Sequence, residues 1–325
     1  MSRSAVPPPV TAVMDAASAW LPAQLAQVER RLTEVVAGHG TELGGEAEAT
    51  LAAGGKRLRP LLVLICAGED AGEPAVRAAV SVELVHMATL VHDDVLDGAP
   101  VRRGRPTVVA RAGREAAVGV GDLLFSRAFA ELAPEGGAQV GELSSASVAL
   151  AQGELAQRRD AYDTSISEQR YLDRCALKTA RLFESACRVG RLASVRPGVE
   201  ELAGFGREIG LAFQLLDDVL DVTGPPERTG KARGTDLLDG TVTLPFILAM
   251  QSDQALAAAE LDGLDPAGAE RICDRIAATG VLDEVRARAR AGIERAKSAL
   301  ETDPFSAEER RLLSLIADGV VERYS

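Results

Sequence analysis

Residues 82–98 read VELVHMATLVHDDVLDG and residues 209–224 read IGLAFQLLDDVLDVTG, so the pentad DDVLD occurs twice, at Asp93–Asp97 and Asp217–Asp221. Each copy follows a stretch that is apolar nearly all round, the pattern of a buried helix. Acidic runs usually form a solvated helix face. Here Gly98–Pro100 and Gly224–Pro226 stop the helical pattern just after each pentad, so both carboxylate clusters fall on the last turns of buried helices. Electrostatics opposes that position. The helix dipole disfavours negative charge at a C-terminus, and Asp93 with Asp97, like Asp217 with Asp221, forms an i,i+4 pair of like charge. Carboxylates gathered where they destabilise imply a cation that offsets them. An all-oxygen ligand set suits Mg2+, which takes one or two carboxylates and completes its shell with substrate phosphates. One pentad alone would not separate a metal site from a solvated face; two in the same helical setting do.

Basic segments surround the pentads. GGKRLRP (54–60) offers Lys56, Arg57 and Arg59 at a predicted helix start, where backbone N–H groups favour anions. VRRGRPT (101–107) offers Arg102, Arg103 and Arg105, and GKARGTD (230–236) offers Lys231 and Arg233. Each alone reads as a solvated cluster. Beside paired carboxylates they read as a diphosphate cradle, because arginine forks match phosphate oxygens.

The rest of the chain keeps a helical period. AASAWLPAQLAQVERRLTEVV (16–36) carries an apolar stripe, with a kink or a helix start at Pro22, and ten further helices are predicted at 58–68, 74–97, 115–132, 138–159, 167–193, 198–222, 239–251, 265–278, 280–302 and 306–322. Alternating Val/Ile/Thr segments are nearly absent, so no sheet is expected. Aromatics make up 3% of the 325 residues and alanine is abundant, which suits closely packed helices. No linker divides the chain. The expectation is an all-α protein, a large single-domain helical bundle over residues 13–325, after a Pro-rich and disordered segment at 1–12. A net charge of −12 argues against nucleic acid as a partner. Cys66, Cys175, Cys187 and Cys273 form no C-x-x-C pair and read as reduced thiols of a cytoplasmic protein. Charges interrupt every apolar run before the ~18 residues of a membrane span, so no transmembrane segment is expected.

Seven segments, in order, resemble the trans-isoprenyl diphosphate synthases, or polyprenyl synthetases: GGKRLRP, ELVHMATLVHDDVLDGAPVRRGRPT, GDLLFSRAF, GELAQ, LKTARLF, FQLLDDVLD and GKARGTDLLDGTVTLP, spanning residues 54–245. The resemblance implies a helical bundle around a central substrate cavity, a homodimer, and three Mg2+ ions per active site. It implies metal binding by Asp93, Asp94, Asp97, Asp217, Asp218 and Asp221. Arg102, Lys178 and Lys231, with Thr179 and Gln214, match positions that contact the allylic diphosphate. Lys56, Arg59, His86 and Arg103 match the pocket for isopentenyl diphosphate. Without the motif, His86 would read as a satisfied core histidine, and His92, which has no match, is read as structural. Thr241 stands where the family often has lysine, which puts one diphosphate contact in question. The implied reaction is ionisation of an allylic diphosphate and attack on the cation by the isopentenyl double bond.

A class I terpene cyclase shares the first acidic motif, but its second metal site mixes Asp with Asn, Ser and Glu. A subunit of a heteromeric prenyl synthase typically lacks aspartates that this chain keeps. A di-iron bundle would need a second E-x-x-H beside Glu83–His86, and only three histidines are present. Product length is read from helix geometry. Thr89 and Ala88 lie one turn before Asp93, about 6–7.5 Å deeper at ~1.5 Å per residue, and Val85 lies a further turn down. In the family, bulky aromatics at such places floor the cavity. Small residues here imply an open tunnel and a product of more than four isoprene units rather than a farnesyl or geranylgeranyl diphosphate, with Phe125 and Phe129 as candidates for a floor from another helix.

Overall fold

The computed structural model describes residues 8–37, 42–224, 233–301 and 304–322. Helices α1 (Pro8–Ala16), α2 (Leu21–Ala37), α3 (Glu42–Ala52), α4 (Leu58–Ala67) and α5 (Gly72–Leu96) lead into the first pentad. Helices α6 (Val108–Leu132), α7 (Gly137–Arg159), α8 (Glu168–Cys175), α9 (Arg181–Ala193) and α10 (Val199–Thr223) lead to the second. The last long helices are Pro266–Ala278, Val281–Ala299 and Ala307–Glu322. The all-α expectation holds. The described residues contain one pair of two-residue strands, Val101–Arg102 and Arg105–Pro106, paired antiparallel in the VRRGRP segment.

Pro22 sits in the first turn of α2, where a missing N–H costs nothing. The disorder expected over residues 1–12 is corrected at 8–12, which open α1; residues 1–7 lie outside the described set. Prolines in a first turn start a helix as readily as they break one further in. The GGEAEA run of α3 carries too weak a periodic signal to have been recognised.

The buried apolar side chains form one continuous cluster reaching from Val13 on α1 to Val320 on the last helix. α5 lies at its centre: Ala78, Ala79, Val82, Leu84, Val85 and Ala88 are all fully buried. With the turn before it, this helix is apolar and long enough to cross a membrane by composition, yet 72% of its apolar 18-residue window is buried in the protein. It is the core helix of the bundle.

Small residues let the backbones touch. A Cβ on Gly153 of α7 would sit 2.5 Å from the backbone N of Lys178, and one on Gly210 of α10 would sit 2.6 Å from Cα of Ala180. On α10, a Cβ at Gly206 would lie 2.6 Å from the carbonyl O of Phe183, whereas Gly204 has nothing within 4 Å. This contrast gives a signed test. Gly204→Ala should stabilise the protein by about 0.5–1 kcal/mol, the usual gain over glycine in a helix. Gly206→Ala should destabilise it by ~1–3 kcal/mol through overpacking. Urea unfolding of the two variants reads both signs.

Candidate active site

α5 ends at Leu96 with Asp97, the last residue of the pentad, as its C-cap, and Gly98 follows at φ +61°, a left-handed close. Thr107 caps α6, accepting from the Ala110 N–H at 3.2 Å and donating to the Ala99 carbonyl at 2.6 Å. Between them the hairpin turns at Arg103 (φ +52°) and Gly104 (φ +72°), both left-handed, as a two-residue type I′ loop requires. The hairpin lays Arg102 against the helix end. Arg102 Nε donates to Asp94 Oδ1 at 2.6 Å, and Asp94 is buried.

Asp93 and Asp97 belong to a second set of charges. Asp97 is exposed and accepts from Arg158 of α7, whose Nε also donates to Glu154 Oε1 at 2.9 Å. The other oxygen of Glu154 pairs with Lys178. Burial works against the charge of Glu154, but Lys178 and Arg158 outweigh it and hold its pKa below the ordinary carboxylate range. For Asp93 burial wins. Its pKa is pushed up to about 6, against the pull of Lys178 and Arg102 and with the repulsion of Glu154 and Asp97.

Lys178 stands in a π-helical segment, Ala176–Ala180, that joins α8 to α9. Such wide turns are rare and concentrate at functional sites. The same segment carries Thr179 to the second pentad. Thr179 Oγ1 donates to Gln214 Oε1 at 2.7 Å, and Gln214 Nε2 donates to Asp218 Oδ1 at 2.7 Å. The other oxygen of Asp218 accepts from the buried Tyr171 hydroxyl. Burial, then the charge of Asp236, pushes the Asp218 pKa well up. Asp217 is exposed, and Asp221 is half-buried and accepts from the Asp236 N–H at 3.3 Å. Each pentad therefore turns its second aspartate fully inward and leaves its first and fifth half-buried or exposed.

The third group is basic. Gly55 lies at its middle: a Cβ there would meet Arg57 Nη1 at 3.0 Å, Arg103 Nη1 at 3.2 Å and Glu83 Oε1 at 3.6 Å. Arg57 is tied to Glu83 at 2.7 Å and to Glu29. Arg59 lies over the Phe183 ring, 4.3 Å from its centroid, and its buried Nε has no hydrogen-bond partner among the described residues. Burial lowers its pKa to about 10, Glu83 opposing and Arg103 assisting. Burial, then Arg59, Arg103, Arg102 and Arg57, holds His86 well below its ordinary value and therefore neutral. Lys56 is exposed at the rim. Lys231 lies outside the described residues.

Val85 and Ala88 are fully buried, and the hydroxyl of the half-buried Thr89 donates to the His86 carbonyl at 2.8 Å. The Phe125 ring of α6 lies 5.9 Å from the His92 ring, while a Cβ on Gly121 would collide with the His92 imidazole, so His92 fills a gap between α5 and α6. The half-buried Thr241 donates its N–H to the Asp236 carbonyl at 2.7 Å, in the loop that follows the second pentad. Sequence reasoning passed over Glu154, Arg158 and Tyr171. The i,i+4 spacing of Glu154 and Arg158 on one helix face was the available signal.

The donor set fits magnesium. No three carboxylate, histidine or cysteine side chains among the described residues form a ligand cluster on their own, and a hard ion that shares its shell with phosphate oxygens needs none. A raised Asp93 also has a measurable consequence. Its folded pKa lies above the unfolded value of ~3.9, so its contribution to stability is present below pH ~4 and is lost as pH rises through about 6. In EDTA at pH 7, Asp93→Asn should melt above the parent protein, and the gap should close on acidification to pH ~4.

The polyprenyl synthetase family model matches residues 41–272. Over 305 residues the chain is 37% identical to heptaprenyl diphosphate synthase component 2 of Geobacillus stearothermophilus, covering 92% of this chain and 95% of that one. Over 273 residues it is 37% identical to octaprenyl diphosphate synthase of Escherichia coli K12, covering 81% and 84%. The crystal structure of polyprenyl synthase from Caulobacter crescentus CB15 complexed with calcium and isoprenyl diphosphate is similar with a TM-score of 0.88 and 33% identity, covering 97% of this chain and 98% of that one. With these likenesses added to the two acidic helix ends and the arginine pocket, the chain belongs to the polyprenyl synthetase family and is a prenyltransferase.

Proposed function

We propose that the chain condenses an allylic diphosphate with isopentenyl diphosphate, with three Mg2+ ions per active site, and makes a long-chain trans-polyprenyl diphosphate. The observation that carries this reading is the π segment, which holds Lys178 beside the first pentad and Thr179 beside the network of the second. Asp93, Asp97, Asp217 and Asp221 are the proposed metal ligands. Asp94 and Asp218, each buried and hydrogen-bonded within the protein, complete the proposed set of six. Bound Mg2+ would neutralise the diphosphate as it departs and so favour ionisation of the allylic carbon. Arg102, Lys178 and Lys231 bind the allylic diphosphate, and Thr179 and Gln214 align its side of the site. Lys56, Arg59 and Arg103 hold the isopentenyl diphosphate, with His86 as a neutral hydrogen-bonding partner. The unsatisfied Nε of Arg59 supports this assignment, since a buried donor gains most from an incoming anion. The apolar walls around α5 keep water from the cation.

The heptaprenyl and octaprenyl products named for two relatives support a long chain, as do the small side chains at Ala88 and Thr89. The exposed apolar Val118 of α6 and Val148 and Leu155 of α7 support a homodimer. Four unpaired, buried cysteines suit the cytoplasm. A second reading, a subunit of a heteromeric synthase, rests on the words "component 2" in one relative's name; turnover by the purified single chain would rule it out.

Asp93→Ala and Asp217→Ala should each lower kcat by about 10²-fold or more while circular dichroism shows the fold intact. Near-normal turnover of either variant at saturating Mg2+ would defeat the metal assignment. The tunnel is tested separately. Ala88→Phe or Thr89→Phe should shorten the products seen by mass spectrometry without abolishing the first condensations. A parent enzyme that stops at three units under excess isopentenyl diphosphate removes the argument for an open tunnel.

A further inference from the structure

Arg158 projects from the end of α7 onto the carboxylate of Asp97, on a different helix and beyond the residues so far given roles. Its guanidinium is shared. One nitrogen donates to Asp97 and another to Glu154 at 2.9 Å, while the remaining oxygen of Glu154 holds Lys178. Glu154 thereby restrains two cations, Arg158 and Lys178, and each faces one of the accessible carboxylates of the first pentad. Arg158 and Asp97 have side-chain exposures of 35% and 30%, so water and ions reach the bond between them. A pair of that kind contributes little to stability and exchanges readily. Arg158 can leave Asp97 and keep its second anchor, because the Glu154 bond uses a separate nitrogen.

We propose that Arg158 is an internal counter-cation of the first pentad: it occupies Asp97 in the metal-free protein, competes with an arriving divalent cation for that carboxylate, and is withdrawn onto Glu154 as the cation binds. The inference rests on the reading of Asp97 as a metal ligand. Arg158 is a positioning residue in this scheme and touches neither substrate nor reacting atoms. Glu154 sets the strength of the competition, since it decides how firmly Arg158 and Lys178 are held away.

The probe is Mn2+ alone, titrated into substrate-free protein, with free ion followed by electron paramagnetic resonance. Arg158→Gln should bind Mn2+ about two- to fivefold more tightly, the range set by the strength of an exposed ion pair. Arg158→Lys should lie near the parent value, because it restores the charge. Glu154→Gln should bind more weakly, because both cations are then released toward the pentad. Arg159→Gln, a change of equal charge at the exposed neighbouring residue, should leave binding unchanged and so separates a direct bond from a general field. Unchanged or weaker binding by Arg158→Gln overturns the proposal, as does tighter binding by Glu154→Gln. The Glu154 variant carries the opposite sign independently should Arg158→Gln fail to fold. Asp97→Asn tells the two failures apart. If it binds Mn2+ as the parent does, the ligand reading falls and the proposal with it; if it loses Mn2+ while Arg158→Gln is unaltered, only the proposal falls.

Discussion

The passage of the Ala176–Ala180 backbone between α7 and α10 is the constraint on which the site depends. Its neighbours on both sides are glycines, Gly153 and Gly210, and neither has room for a methyl group. Contact of backbone with backbone fixes the segment more tightly than packed side chains could, since main-chain atoms have no rotamers into which to yield. The π turn then does what an α-turn would not. It widens the helix by one residue, so that Lys178 and Thr179, adjacent in sequence, serve two acidic clusters on different helices.

Charge in the site is left deliberately unbalanced by burial. Asp93 is harder to ionise than an ordinary aspartate, Arg59 gives up its proton more easily than an ordinary arginine, and burial keeps His86 neutral with four arginines adding to the effect. All three departures have the same first cause, the removal of water. A ligand of the missing sign, a cation near Asp93 or an anion near Arg59 and His86, would relieve them. The buried partners are arranged differently. Asp94 with Arg102, and Asp218 with Gln214 and Tyr171, are satisfied within the protein and hold the helix ends in place.

Much of this was legible in the chain. The all-round apolarity before each DDVLD marks a buried helix, and the Gly–Pro punctuation after it puts the aspartates at the helix end; α5 and α10 end within a residue or two of where that pattern places them. Gly113, left-handed at φ +86°, explains why the periodic signal of α6 starts only after it. Other features had no sequence signal. The π segment departs from the α-helix over a single turn of i→i+5 hydrogen bonds, for which no residue type in ALKTA is a marker. The inward turn of Asp94 and Asp218 depends on how the hairpin and the neighbouring helices pack, which brings Arg102 to one and Tyr171 to the other, and the DDVLD string treats its aspartates alike. The i,i+4 spacing of Glu154 and Arg158 does not disclose the second partner of Arg158, Asp97, which is set by tertiary packing.

The hairpin that follows α5 places two arginines of different duty on consecutive residues. Arg102 is bonded to Asp94 at the helix end, and Arg103, held left-handed at the turn, reaches the pocket around Gly55. A two-residue turn of fixed twist holds the backbones of the two residues in one geometry, so a ligand that shifts the turn itself shifts both. On the proposed assignment these arginines belong to different substrates. Whatever free energy one diphosphate gains or loses through the turn when its partner is present, thermodynamic reciprocity requires the partner to gain or lose as well. On that assignment, the smallest β element in a helical protein would make the two substrates parties to a single binding equilibrium.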